Sequence, residues 1–137
     1  MKMNKKGFTL IELLAVIVIL AIIALIATPI VMNLITKARK SAAEDSAYGL
    51  VKAAETYYAE ALLDNQGEGF EETTFTCSKT SGANACMSGS VELKFNGTKP
   101  SDGTVVIDAD GKVTLSGITI NTYACTQNAD GTIKCGE

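Results

Sequence analysis

Leu13 to Ala27 (LLAVIVILAIIALIA) is an unbroken apolar run of fifteen residues, and the chain stays uncharged through Ile35. As a helix, the 23 residues from Leu13 to Ile35 would span roughly 34 Å, more than a bilayer's hydrocarbon core of about 30 Å. Such a segment reads as a membrane or filament-core helix rather than the core helix of a soluble domain. In a chain of 137 residues it leaves room for one further domain and no more.

What precedes the run is short and basic, MKMNKKG. A secretory signal starts similarly, but its apolar stretch is 7–15 residues and ends in a small-x-small cleavage site. Here the run is too long, Ala24 and Ala27 are three apart rather than two, and Glu12 puts a charge near its start.

The helical pattern does not stop where the apolar run stops. Between Gly7 and Gly49 there is no glycine, and the only breaker is Pro29. Proline removes the hydrogen bond to the carbonyl of Leu25, so a kink or a local loss of helix is predicted just before it. Beyond Thr36 the pattern becomes amphipathic. Ala47, Leu50, Val51, Ala54, Tyr57, Tyr58, Ala61 and Leu62 recur at helical spacing, the face expected to pack on a domain. Asn65 and Gly67 are stop signals. One helix from Phe8 to Leu62 is therefore predicted, with residues 8–35 as the membrane or filament-core half and 36–62 as the amphipathic half. Its apolar half needs lipid or other copies of the chain.

Residues 63–137 are predicted to form a small head: a loop over 63–90, then an antiparallel sheet over 91–137. Val91 to Phe95 alternates, as a strand does. Thr104–Asp108, Lys112–Ser116, Ile118–Thr126 and Thr132–Cys135 follow as strands, with turns at Asp110-Gly111 and Asp130-Gly131. Apolar parity slips across Ser116-Gly117, which predicts a bulge or bend. The fold class is α+β: a long N-terminal helix packed by its C-terminal half on a small antiparallel β-meander.

Four cysteines, Cys77, Cys86, Cys125 and Cys135, all follow the apolar run, which reads as two disulfides on the oxidising side of a membrane. Short spacing favours Cys77–Cys86 and Cys125–Cys135, one of three possible connectivities. A head this small usually needs such staples.

Charge and composition exclude several functions. Residues 1–40 carry six bases (Lys2, Lys5, Lys6, Lys37, Arg39, Lys40) against Glu12, net +5. The remainder carries six bases against fourteen acids, net −8, which disfavours nucleic-acid binding by the body. There is no histidine, so zinc-hydrolase motifs and Ser-His-Asp or Cys-His sites are ruled out. No phosphate-binding glycine motif occurs. The expectation is a protein that is not an enzyme and needs no cofactor.

Lys5-Lys6-Gly7-Phe8-Thr9-Leu10-Ile11-Glu12 ahead of an apolar helix resembles the start of a type IV prepilin or type II secretion pseudopilin. The resemblance covers residues 2 to about 35. It departs from many members in having no glycine inside the apolar run and in having two short-range cysteine pairs. The resemblance implies that residues 1–7 are a leader, cut between Gly7 and Phe8 by a prepilin peptidase that then methylates the Phe8 amine. Glycine at the cut lets a protease approach the backbone closely. It implies a homo-oligomeric helical filament, and an assembly ATPase and a membrane platform protein as partners. It places the chain in the bacterial cytoplasmic membrane first and in a surface filament afterwards.

Glu12 has a physical task in that setting. A carboxylate in hydrocarbon costs several kcal/mol unless paired. The resemblance pairs it with the Phe8 amine of a neighbouring subunit; the alternative is a bond to its own N-terminus. Pro29 is implied in assembly too, through helix melting, and otherwise reads as a passive kink. Asp108-Ala-Asp110-Gly111 resembles the opening of a calcium loop but lacks the distal Glu, and also reads as a hairpin turn. Three functions follow as expectations. The first is a filament subunit serving adhesion, motility, DNA uptake or secretion. The second is a secretion pseudopilin or minor competence pilin. The third is a membrane-anchored binding domain that never polymerises.

Overall fold

The computed structural model describes residues 7–80 and 82–136. The leader positions Lys2, Lys5 and Lys6 lie outside the described residues. Two compact units are present, Met1–Lys37 and Ala38–Glu137.

One helix, α1, spans Leu10–Asp64. In the first unit it runs through Pro29 without interruption, so the predicted local loss of helix is absent. The reason is economy: proline removes one N–H, and the turns on either side keep their own bonds. Thr28 Oγ1 donates to the Ala24 carbonyl at 2.6 Å, one residue away from the carbonyl that Pro29 leaves unserved.

In the second unit α1 ends in a Schellman arrangement. Gly67 N–H donates to Leu62 O at 3.0 Å and Gln66 N–H to Leu63 O at 3.3 Å. Gln66 takes the left-handed conformation (φ 54°), where glycine is more usual. The stop thus falls at the residues that signal it, and the helix begins and ends two residues later than predicted, at Leu10 rather than Phe8 and at Asp64 rather than Leu62.

Seven strands form one antiparallel sheet: β1 (Thr73–Thr80), β2 (Ala83–Ser88), β3 (Val91–Glu92), β4 (Asp102–Ile107), β5 (Val113–Ile120), β6 (Tyr123–Gln127) and β7 (Ile133–Gly136). Their order is β3-β2-β1-β4-β5-β6-β7. The chain therefore begins in the middle of the sheet, winds outward to β3, returns to the other side of β1 and winds outward again to β7. This corrects the predicted loop over 63–90, which contains the hairpin β1–β2. Thr73–Thr80 carries little strand signal, because only Phe75 and Cys77 in it are apolar. The predicted strand Val91–Phe95 shrinks to two residues, although Leu93 N–H still reaches Cys86 O at 2.9 Å.

The predicted strand Ile118–Thr126 is two strands. Asn121 (φ 50°) and Thr122 (φ 70°) form a two-residue turn between the paired Ile120 and Tyr123. Neither residue is glycine, so the turn carries no strong sequence signal.

The bulge lies where parity predicts it. Between the pairs Asp102–Thr119 and Thr104–Ser116, β5 has one residue more than β4. Val113 and Leu115 before the bulge and Ile118 and Ile120 after it all reach the same buried side. Gly103 makes this possible. A Cβ there would sit 2.7 Å from the Ile118 backbone, and its φ is +111°. Gly103→Ala is expected to cost about 2–4 kcal/mol, from backbone overlap plus a disfavoured φ. A shift of the denaturation midpoint without a change in slope is the measurement that checks it.

The core lies between the buried side of the sheet and α1. Ala43, Ala47, Leu50 and Ala54 form the buried helix stripe. Opposite them lie Phe75, Val105, Ile107, Ile118, Ile120 and Ile133, all at most 1% exposed. Alanine at three of the four helix positions lets the helix come close. Tyr57 closes one end, with its ring edge-on to Phe75 (centroids 5.1 Å) and Phe70 (6.2 Å).

Candidate functional site: the start of the apolar helix

The helix begins with a reciprocal cap. Thr9 N–H donates to Glu12 Oε2 at 2.9 Å, and Glu12 N–H donates to Thr9 Oγ1 at 3.4 Å. This is the Thr-x-x-Glu capping box, with Thr9 as N-cap and Glu12 at the third helical position. The Thr-x-x-Glu spacing is visible in the sequence, and the partner of Glu12 within its own first turn is Thr9 rather than the N-terminus. Two donors that would otherwise be orphaned at the helix start are satisfied within the chain. One carboxylate oxygen of Glu12 is engaged by Thr9, and the other has no bond among the described residues.

Gly7 and Phe8 precede the cap in exposed chain outside the helix. Nothing lies within 4 Å of where a Gly7 Cβ would be, and Phe8 is 88% exposed. A peptide bond in this setting is open to a protease. Glu12 bonds to Thr9, three residues back, and not to Phe8.

The apolar run contributes surface, not core. From Gly7 to Arg39 every residue is exposed except Ala27, which is half-buried. The exposed side chains include Leu13, Leu14, Ile17, Leu20, Leu25 and Ile30, on all sides of the helix. By length and composition this helix can cross a membrane. Exposed apolar surface on this scale marks a lipid or protein contact.

The cysteines pair across neighbouring strands. Cys77–Cys86 joins β1 to β2 and Cys125–Cys135 joins β6 to β7, with Cα separations of 3.8 and 4.0 Å. Each joins residues directly opposite in register, so each bond fixes one hairpin.

Asp108 and Asp110 sit in the β4–β5 turn. Asp108 Oδ1 accepts from the N–H of Asp110 (3.0 Å) and of Lys112 (2.9 Å), which closes the loop. The same loop is built again at Asn128–Thr132. Gly111 and Gly131 (φ 86° and 90°) donate to the carbonyls of Asp108 and Asn128, each at 3.0 Å. In the second copy Asp130 accepts from Thr132 N–H and Oγ1, bonds that hold its carboxyl below the usual range. Among the described residues, no three His, Cys, Asp or Glu side chains gather as a metal site. These hydrogen bonds make Asp108-Ala109-Asp110-Gly111 a closed turn between β4 and β5.

Sequence comparison bears on the helix start alone. Residues 2–28 match the family model described as the prokaryotic N-terminal methylation motif. No curated protein and no solved structure matches the chain. The matched stretch contains the Gly7–Phe8 bond, the capping box and the exposed apolar run. Residues 2–28 are thus similar to the prokaryotic N-terminal methylation motif, the prepilin leader signature of type IV pilins and pseudopilins.

Proposed function

We propose that the chain is a structural pilin subunit that polymerises through residues 8–35 into a type IV-like surface filament. One observation carries this reading: the methylation motif opens a helix whose apolar side chains are exposed on every side. Before assembly, lipid covers that surface; in the filament, the same segments of other copies cover it. A prepilin peptidase cuts between Gly7 and Phe8 and methylates the new amine. A cytoplasmic ATPase and a membrane platform protein drive extraction. The disulfide-stapled head, residues 63–137, faces solvent and meets the outside world in adhesion, motility, DNA uptake or secretion.

Glu12 sets register. In an apolar filament core, any axial offset that parts its carboxylate from the Phe8 amine of a neighbour strands two charges. The oxygen of Glu12 not engaged by Thr9 is the acceptor for that cation. Pro29 is the weak point of the assembled helix, because its missing donor makes melting locally cheaper. Shearing cells that express the chain with its peptidase and assembly machinery tests the filament reading. Fibres built mainly of this chain are expected in the sheared fraction. Full retention of the processed chain in the membrane fraction would contradict it.

A further inference from the structure

The strand β7 ends the sheet, and among the described residues no strand pairs with its outer side. Its register with β6 pairs Thr126 with Lys134, Cys125 with Cys135 and Gln127 with Ile133. In an antiparallel ladder alternate residues turn their N–H groups away from the partner. Ile133 and Cys135 are those residues. Both N–H groups nevertheless have acceptors, supplied by α1. Ile133 N–H donates to Tyr48 Oη at 2.9 Å, and Cys135 N–H donates to Glu44 Oε1 at 3.2 Å.

The fit follows from the two repeats. Glu44 and Tyr48 are four residues apart on a helix, a rise of about 6 Å. Ile133 and Cys135 are two apart on a strand, about 6.8 Å. One flank of α1 therefore presents acceptors at the spacing that a neighbouring strand would. The opposite edge needs no such cover. There β3 is two residues long, and Glu92 on it is held by Lys99 Nζ at 2.7 Å.

We propose that Glu44 and Tyr48 form a lock that closes the β7 edge to an eighth strand, and that the partner excluded is β7 of a second copy. A free edge with two outward donors is a template for pairing. Two copies of one edge can pair antiparallel about a two-fold axis, each giving and receiving the same bonds. The Cys125–Cys135 bond keeps β7 in place on β6, so the edge persists whether or not the lock is engaged. Glu44 and Tyr48 withdraw both donors at once, and copies held close together stay unpaired through their sheets.

Amide hydrogen exchange and sedimentation of the full-length chain in detergent test this. In Glu44→Ala/Tyr48→Phe, exchange at Ile133 and Cys135 is expected to quicken at least tenfold, while Lys134, whose N–H faces β6, keeps its rate. A dimer absent from the parent chain at the same concentration is expected to appear. Should the double variant fail to fold, two single variants carry the test. Tyr48→Phe is expected to quicken Ile133 alone. Glu44→Gln, which keeps an acceptor oxygen, is expected to leave Cys135 protected. Unchanged exchange at both amides overturns the lock. Fast exchange without the dimer overturns the second copy as the excluded partner.

Discussion

Glu12→Ala is expected to leave leader cleavage intact and to cut fibre yield by about 100-fold or more. The magnitude comes from what the variant leaves behind. Parting a buried ion pair by removing one partner costs about 3–5 kcal/mol, because the other charge stays buried and unpaired. Each 1.4 kcal/mol is about tenfold in an equilibrium constant. The Phe8 amine is the charge that would be stranded in the filament core. Glu12 has a second task, however, since its Oε2 caps Thr9 N–H. Alanine removes both.

Glu12→Gln separates them. A glutamine at the third helical position still completes a capping box, but it carries no charge. If register depends on the ion pair, Gln is as defective as Ala in sheared-fibre yield. If Gln restores fibres, the cap alone is what assembly needs, and the intersubunit pairing of Glu12 is wrong.

The second large effect is expected from the disulfides. Cys77–Cys86 and Cys125–Cys135 close loops with sequence separations of 9 and 10. In the chain-entropy model a closure of this size is worth about 2.7 kcal/mol, so losing both removes about 5 kcal/mol. A domain of about a hundred residues has a total stability of about 5–15 kcal/mol. Reduction is therefore expected to lower the melting temperature of the head by at least about 15 °C. Circular dichroism melts with and without reductant would show it. A shift under about 5 °C would mean that the packing of Ala43, Ala47, Leu50 and Ala54 on the sheet holds the head without its staples.

Much of this architecture is legible in the residues because it is periodic. The helix announces itself through 3.6-residue spacing and through the absence of glycine between Gly7 and Gly49. The bulge at Ser116-Gly117 shows as a slip in two-residue parity. What escaped has little periodic signal. The strand β1 is mostly threonine, serine and lysine, and the hairpin β1–β2 gains its place from register and from a disulfide across it rather than from apolar alternation. The Asn121-Thr122 turn lacks the glycine that marks such turns. The return of the chain from β3 to the far side of β1 is a matter of topology, which local pattern does not encode.

At the helix start the same contrast holds. Glu12 stands out in the sequence because a charge is out of place beside an apolar run, and the Gly7-Phe8 bond through the resemblance of the preceding residues to a prepilin leader. Thr9 does not stand out, because threonine is common anywhere. Its role appears only when both halves of the capping box are seen to close. The helix-borne acceptors Glu44 and Tyr48 are also beyond sequence reading, since their partners lie 91 and 85 residues away.

Intact mass spectrometry of the chain recovered from membranes or surface fibres tests the central claim most directly. A mass lacking residues 1–7 and carrying one added methyl group is the result expected of a processed pilin subunit. Four hydrogens fewer without reductant would count both disulfides. A chain that still begins at Met1, or one cut after the apolar run, would contradict the account and leave a membrane-anchored or secreted single domain in its place.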